Sequence, residues 1–279
     1  MSAILSAVDA HLLRPLVGEK CSARLLEIDT SAIDCFKLLV SKCLGLGIVL
    51  GGTILKVPQI LKIVGAGRTD GISFLSYLLE TAAYTISLAY NYRSGNPFST
   101  YGEMGFITLQ NLIILFLILT YSKRVGGLLA FLVAFGASSI SLFNPELVSA
   151  DLLRTLQWAT VLIGVASKLP QIANNYSAKS TGQLSAITVF LQSAGSAARV
   201  FTTLQEVDDP VLLTSALVAT GLNMLIAAQM VVYWTNSPSV CSARYSGPLT
   251  PSQRSRAPLL KLTFMFFPQR KRVQTKKRI

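Results

Sequence analysis

The sequence predicts an all-α, polytopic membrane protein: seven transmembrane helices forming two parallel three-helix repeats joined by a linker helix. Three observations predict it. Of 279 residues, 51% are hydrophobic and only 14% charged, against roughly 25% charge in soluble domains. One motif occurs twice, as Lys-Val-Pro-Gln-Ile at Lys56 to Ile60 and Lys-Leu-Pro-Gln-Ile at Lys168 to Ile172. Cationic residues also alternate between successive loops, as expected of a chain threading a bilayer.

The two motifs lie 112 residues apart (168 − 56), and the same offset without a gap pairs Ala66 with Ala178, Thr69 with Thr181 and Ser73 with Ser185. Seven of the twenty positions from Lys56 are then identical, where chance gives about one or two, so the chain is internally duplicated.

A membrane crossing needs about 20 apolar residues. Seven segments meet this in chain order: Phe36 to Leu55, Ile72 to Tyr92, Tyr101 to Tyr121, Val125 to Phe143, Leu152 to Leu169, Leu184 to Leu204 and Val211 to Trp234. The corresponding parse is an N-terminal segment (1–35), a first repeat (36–121), a linker helix (122–150), a second repeat (151–236) and a basic tail (237–279). An odd linker makes the two repeats parallel, as in the repeat class that includes the SWEET transporters. Residues 1–35 mix Leu12, Leu13, Leu16 and Val17 with charges, a pattern open to a short interfacial helix or a loose tail. Gly45, Gly47, Gly51 and Gly52 in the first span, and Gly195 to Ala198 in the sixth, suit close helix approach.

Orientation follows from charge. Loops after the first, third and fifth spans carry Lys56, Lys62, Arg68, Lys123, Arg124, Lys168 and Lys179, whereas those after the second, fourth and sixth carry only Arg93 and Arg154. The former side is therefore expected in the cytosol, with a lumenal N-terminus and a cytosolic C-terminus. Net charge is +12, and ten Lys or Arg with no acid follow Trp234. Such a tail suits anionic lipid at a cytosolic face, not nucleic acid. Its last residues, Lys276-Lys277-Arg278-Ile279, match a dilysine signal read by the retrieval coat of the endoplasmic reticulum. The sequon Asn175-Tyr176-Ser177 falls on the cytosolic side and is expected to carry no glycan. Cys21, Cys35, Cys43 and Cys241 lack metal-ligand spacing and read as free thiols. His11 stands alone, so no metal site and no cofactor are expected.

Several residues can carry chemistry. Pro58 and Pro170 each remove a backbone donor and free carbonyls near a helix end, and Gln59 and Gln171 can meet such groups or a polar solute. With Lys56 and Lys168 they form two symmetry-related hinges around a central pathway. Polar groups within spans are costly and mark pathways: Glu80, paired by the repeat offset with Gln192, then Arg199, Gln110, Asn111, Asn223 and Gln229. Packing, helix glue and interfacial snorkelling are the plain alternatives. There is no nucleophile elbow, zinc motif, P-loop or dinucleotide fingerprint, so an enzyme is not expected. Asp208-Asp209, beside Pro210, reads as a tight loop.

These residues converge on a family. Lys56 to Gln59, Pro97-Phe98-Ser99 with Gly102-Glu103, Leu109-Gln110, the run from Thr181 to Leu191, Asn223, and Leu225 to Gln229 with Tyr233-Trp234 together resemble the mannose-P-dolichol utilization defect proteins of the PQ-loop family. The likeness covers about residues 36–236; the tail departs from it. The resemblance implies an endoplasmic reticulum protein needed to use dolichol-phosphate-mannose and dolichol-phosphate-glucose in N-glycosylation, O- and C-mannosylation and GPI-anchor synthesis. Expected partners are dolichol-linked monosaccharides, membrane lipid and endoplasmic reticulum glycosyltransferases. On chemical grounds Arg199 is expected to offset the phosphate charge, with Gln59, Gln171 and Gln192 meeting sugar hydroxyls. A proton-coupled small-solute exporter using Glu80, and a scaffold for glycosyltransferases, are the alternatives.

Overall fold

The computed structural model describes residues 14–26, 33–69, 71–122, 125–181 and 186–234. His11, Cys241, Lys123, Arg124, residues 182–185 of the resembling run, and the tail with Lys276 and Lys277 lie outside the described residues. Among the described residues there are α-helices, one 3-10 turn and no strand. The α-helices are α1 (Arg14–Leu26), α2 (Ile33–Ile54), α3 (Val57–Ala66), α4 (Phe74–Arg93), α5 (Gly102–Tyr121), α6 (Val125–Phe143), α7 (Ala150–Ala178), α8 (Ala186–Glu206) and α9 (Pro210–Val232); the 3-10 turn is Phe98–Thr100.

Four stretches are long and apolar enough to cross a membrane: Ile33–Ala66, Gly102–Tyr121, Gly126–Phe143 and Pro210–Val232. The second, fifth and sixth spans expected from sequence coincide with α4, α7 and α8, of 20, 29 and 21 residues. These three are more polar. In α6 none of the apolar window is buried, and Leu129, Leu132, Val133 and Ile140 face outward, a surface suited to lipid rather than water.

Before the first span, α1 is interrupted at Gly18, whose φ of 80° lies in the left-handed region that glycine alone adopts without strain. Cys21 and Cys35 form a disulfide that ties α1 to the start of α2. This corrects the expectation of free thiols: widely spaced sequence positions gave no paired pattern, and only the return of α1 onto α2 brings the two Cα atoms to 5.2 Å. Cys43 remains a free thiol.

The chain divides into two compact units, one of residues 1–164 and 195–219, the other of residues 165–194 and 220–279. In the first, one apolar cluster joins Ala89 and Tyr90 to Leu153 and Leu212, and another joins Ile63 to Ile114 and Ile118. Arg93 donates to the carbonyls of Leu142 and Val148, at 3.2 and 2.8 Å, which fixes the turn from α6 into α7. Asp209 caps α9 through the amides of Val211 and Leu212, at 2.7 and 3.3 Å, and accepts from Tyr90 at 2.7 Å. Pro210 then occupies the first helical position, where its missing N–H costs nothing. The acidic pair beside Pro210 is thus a helix start. The second unit packs Val189 against Ile226, Ala227 and Met230.

Close approach in α2 uses two of the four glycines. A Cβ on Gly45 would lie 2.6 Å from the Ser99 carbonyl oxygen, and one on Gly52 would lie 2.6 Å from Glu103 Cβ, whereas Gly47, Gly51 and Gly195 meet nothing within 4 Å. Gly45 and Gly52 are seven residues apart, hence two turns along one face. Gly52→Ala is therefore expected to destabilise the fold by about 1–3 kcal/mol through forced separation of α2 and α5. Gly51→Ala should be neutral or slightly stabilising, and thermal unfolding of the purified proteins in detergent compares them.

Candidate functional site

At the first Pro-Gln motif the helix breaks. α2 ends at Ile54, Leu55 and Lys56 turn, and α3 begins with Pro58 in its first turn. Proline accounts for the start, since its ring clashes with the carbonyl four residues earlier. What holds the break open is Gln110 of α5. Its Oε1 accepts from the Lys56 amide at 2.7 Å, and its Nε2 donates to the Gly52 carbonyl at 2.7 Å and to the Phe106 carbonyl at 3.0 Å. In an uninterrupted helix Lys56 N–H would bond Gly52 C=O directly. The buried carboxamide is spliced into that one hydrogen bond, satisfying both backbone groups where lipid offers no substitute.

Lys56 is anchored as well. Its ammonium lies 2.8 and 3.0 Å from the Glu80 carboxylate oxygens and 5.1 Å from the centre of the Tyr77 ring. Two further ion pairs cross the first unit. Lys42 of α2 meets Glu206 of α8 at 2.5 Å, and Glu206 also accepts from Ser41 at 2.5 Å and Ser99 at 2.7 Å. Arg199 of α8 pairs with Glu103 at the start of α5 and donates to the Thr100 carbonyl at 2.6 Å. Arg199 is thus not a free cation; its charge is met within the unit. Sequence reasoning singled out Arg199 but gave no role to Lys42, Ser41 or Glu206, and named Ser99 and Glu103 only as part of the family resemblance. One signal was present: Arg199 and Glu206 are seven apart and so share a face of α8.

Two buried asparagines stand at equivalent repeat positions (223 − 111 = 112). Asn111 is fully buried, and neither its Oδ1 nor its Nδ2 has a protein partner among the described residues. Asn223 is also buried, with Oδ1 unmatched and Nδ2 3.5 Å from the Gln192 carbonyl. An orphaned buried amide costs about 1–3 kcal/mol. Separately, an apolar cavity of about 560 Å³ in the first unit lies among α4, α6 and α7, lined by Leu78, Ile86, Phe131, Phe135, Leu142 and Leu156.

The second motif behaves differently. Pro170 sits inside a continuous α7, which departs from the expectation of a kink near a helix end in both copies. The repeat offset places Leu222 where the first repeat has Gln110, so no carboxamide stands ready to open the helix there. Instead Gln229 of α9 donates to the Ile172 carbonyl at 3.0 Å and accepts from Asn175 at 3.1 Å. Gln171 is half-buried and Gln192 exposed. Ser193 donates to the carbonyls of Val189 and Asn223.

Comparison with known proteins accords with this duplicated arrangement. The PQ loop repeat matches residues 40–100 and again 152–212. The chain carries two PQ-loop repeats. It is also 28% identical over 179 residues to human solute carrier family 66 member 3, an alignment covering 64% of this chain and 87% of that protein. No solved structure matches. Each matched repeat contains its Pro-Gln motif, so the polar assembly at Lys56 and the polar contacts around Ile172 both belong to PQ-loop sequence.

Gln110→Leu frees Gly52 and Lys56 to bond each other, so spin-label distances between α2 and α3 should lengthen as the break closes. Glu103→Gln strands the Arg199 charge and is expected to cost about 3–5 kcal/mol, largely recovered in the Glu103→Gln, Arg199→Gln double variant; thermal unfolding of the three proteins measures this. Asn175, held by Gln229 and 6% exposed, should carry no glycan, so glycosidase treatment should leave gel mobility unchanged.

Proposed function

We propose that this protein is a multi-pass endoplasmic reticulum membrane protein that supports use of dolichol-phosphate-mannose and dolichol-phosphate-glucose, by translocating or presenting the lipid-linked sugar. Its substrate products would be N-glycan precursors, O- and C-mannosylated proteins and GPI anchors. The observation that carries this reading is where the resembling segment Pro97 to Glu103 falls. Ser99, Thr100 and Glu103 form the polar hub of the first unit, meeting Glu206, Arg199 and the Gly52 face of α2. Residues that carry the family likeness are therefore the ones that organise the interior.

Other features support it. Asn111 and Asn223 supply unmet amide groups in both repeats, the chemistry that sugar hydroxyls satisfy. The apolar cavity beside α6 suits a polyisoprenyl chain that stays at the lipid boundary while its headgroup meets polar residues. Seven crossings with a lumenal N-terminal side accord with the Cys21–Cys35 disulfide, since such bonds persist in oxidising compartments.

A second reading, a proton-coupled exporter of a small solute, is favoured by the likeness to a solute carrier. It would use Glu80, whose bond to Lys56 must then open when a proton arrives.

In cells lacking the resembling family member, the wild-type protein is expected to restore full-length lipid-linked oligosaccharides, and Gln110→Leu to restore them poorly. No rescue by the wild type rejects the dolichol reading. Proton-dependent solute flux in reconstituted vesicles, without that rescue, would establish the exporter.

A further inference from the structure

The two compact units differ in charge in a way the motifs conceal. Thirteen residues of the chain are Asp or Glu, and every one lies in residues 1–164 or 195–219. The second unit, residues 165–194 and 220–279, contains no acidic side chain at all. It nevertheless keeps the motif lysine, Lys168.

The repeat offset shows what has been removed around it. Lys56 has Glu80 and Tyr77 as partners; the corresponding positions of the second repeat are Gln192 (80 + 112) and Val189 (77 + 112). A carboxylate has become a carboxamide and a π-face has become an isopropyl group. Lys168 is half-buried and has no hydrogen bond or ion pair among the described residues. The other lysine among the described residues of this unit is engaged differently: Lys179 lies over the Tyr176 ring at 3.7 Å and 5.8 Å from the Tyr233 ring.

A half-buried cation at the end of an apolar stretch is costly unless an anion meets it. Its own unit cannot supply one. We infer that Lys168 receives an anionic phosphate group from outside the protein, making the second unit the anion-receiving one and the first unit the self-neutralised one. The inference rests on the lipid-linked reading of the substrate and names the contact to its phosphate. Lys168 lies one residue before Leu169, where the apolar span expected from the sequence ends. Arg199, the cation first expected there, is already occupied by Glu103.

The test uses the full chain in phosphatidylcholine nanodiscs with a short-chain polyprenyl phosphate mannose as probe. Binding is expected to weaken about tenfold in Lys168→Gln, the loss of one charge-assisted hydrogen bond, and to persist in Lys168→Arg. A structural lysine would lower the melting temperature when removed. Here Lys168→Gln without probe should melt at or above the wild type, and the wild type and Lys168→Arg, but not Lys168→Gln, should gain stability from the probe. Competition by phosphatidylserine or by inorganic phosphate identifies a general phospholipid or a soluble anion as the source of the same group; competition by polyprenyl phosphate alone identifies the lipid-linked sugar. Wild-type binding by Lys168→Gln, or equal binding of uncharged polyprenol, overturns the inference. Cellular rescue separates the two ideas: wild-type protein that rescues together with an equally active Lys168→Gln sinks the role of Lys168 alone. Wild-type protein that binds the probe through Lys168 yet rescues nothing sinks the dolichol reading alone.

Discussion

A polar group placed in a bilayer must find its partner inside the protein, and the carboxamide of Gln110 is where this molecule meets that demand most directly. Pro58 opens the helix but satisfies nothing. Gln110 bonds the stranded amide of Lys56 and the stranded carbonyl of Gly52, so a broken helix becomes tolerable within an apolar span. The rest of the first unit is arranged to bring that one side chain into reach. Gly52 lets α5 approach until Glu103 touches α2, and α5 then presents Gln110 about two turns further on.

Charge follows the same logic at longer range. Lys56 with Glu80, Lys42 with Glu206 and Arg199 with Glu103 each join different helices. Such pairs add little net stability once desolvation is counted, but separating one partner is expensive. They therefore favour one arrangement of α2, α4, α5 and α8 over others of similar packing energy. An access pathway through the unit would require these contacts to exchange.

The duplication has been put to unequal use. Both repeats keep the lysine, proline and glutamine, and both keep a buried asparagine on the third helix. The first adds Gln110 and Glu80 and gains a break with an internal ion pair; the second carries Leu222 and Gln192 and keeps α7 continuous around Pro170. Identical motifs thus yield different backbones because residues distant in sequence decide whether the freed groups can be satisfied.

The sequence by itself determined the helical, membrane-suited character, the internal repeat and the positions of the apolar segments, because hydropathy and motif spacing are local properties written residue by residue. Which polar residues meet could not be read there. The disulfide between Cys21 and Cys35, the meeting of Arg199 with Glu103, the Lys42–Glu206 pair and the insertion of Gln110 all depend on which helix faces approach, and that is decided in space, not along the chain: at Gly52, for one, a Cβ would fall 2.6 Å from Glu103 Cβ. Pro58 and Pro170 look alike in sequence for the same reason: only the neighbouring helix determines whether a proline ends a helix or rides within it.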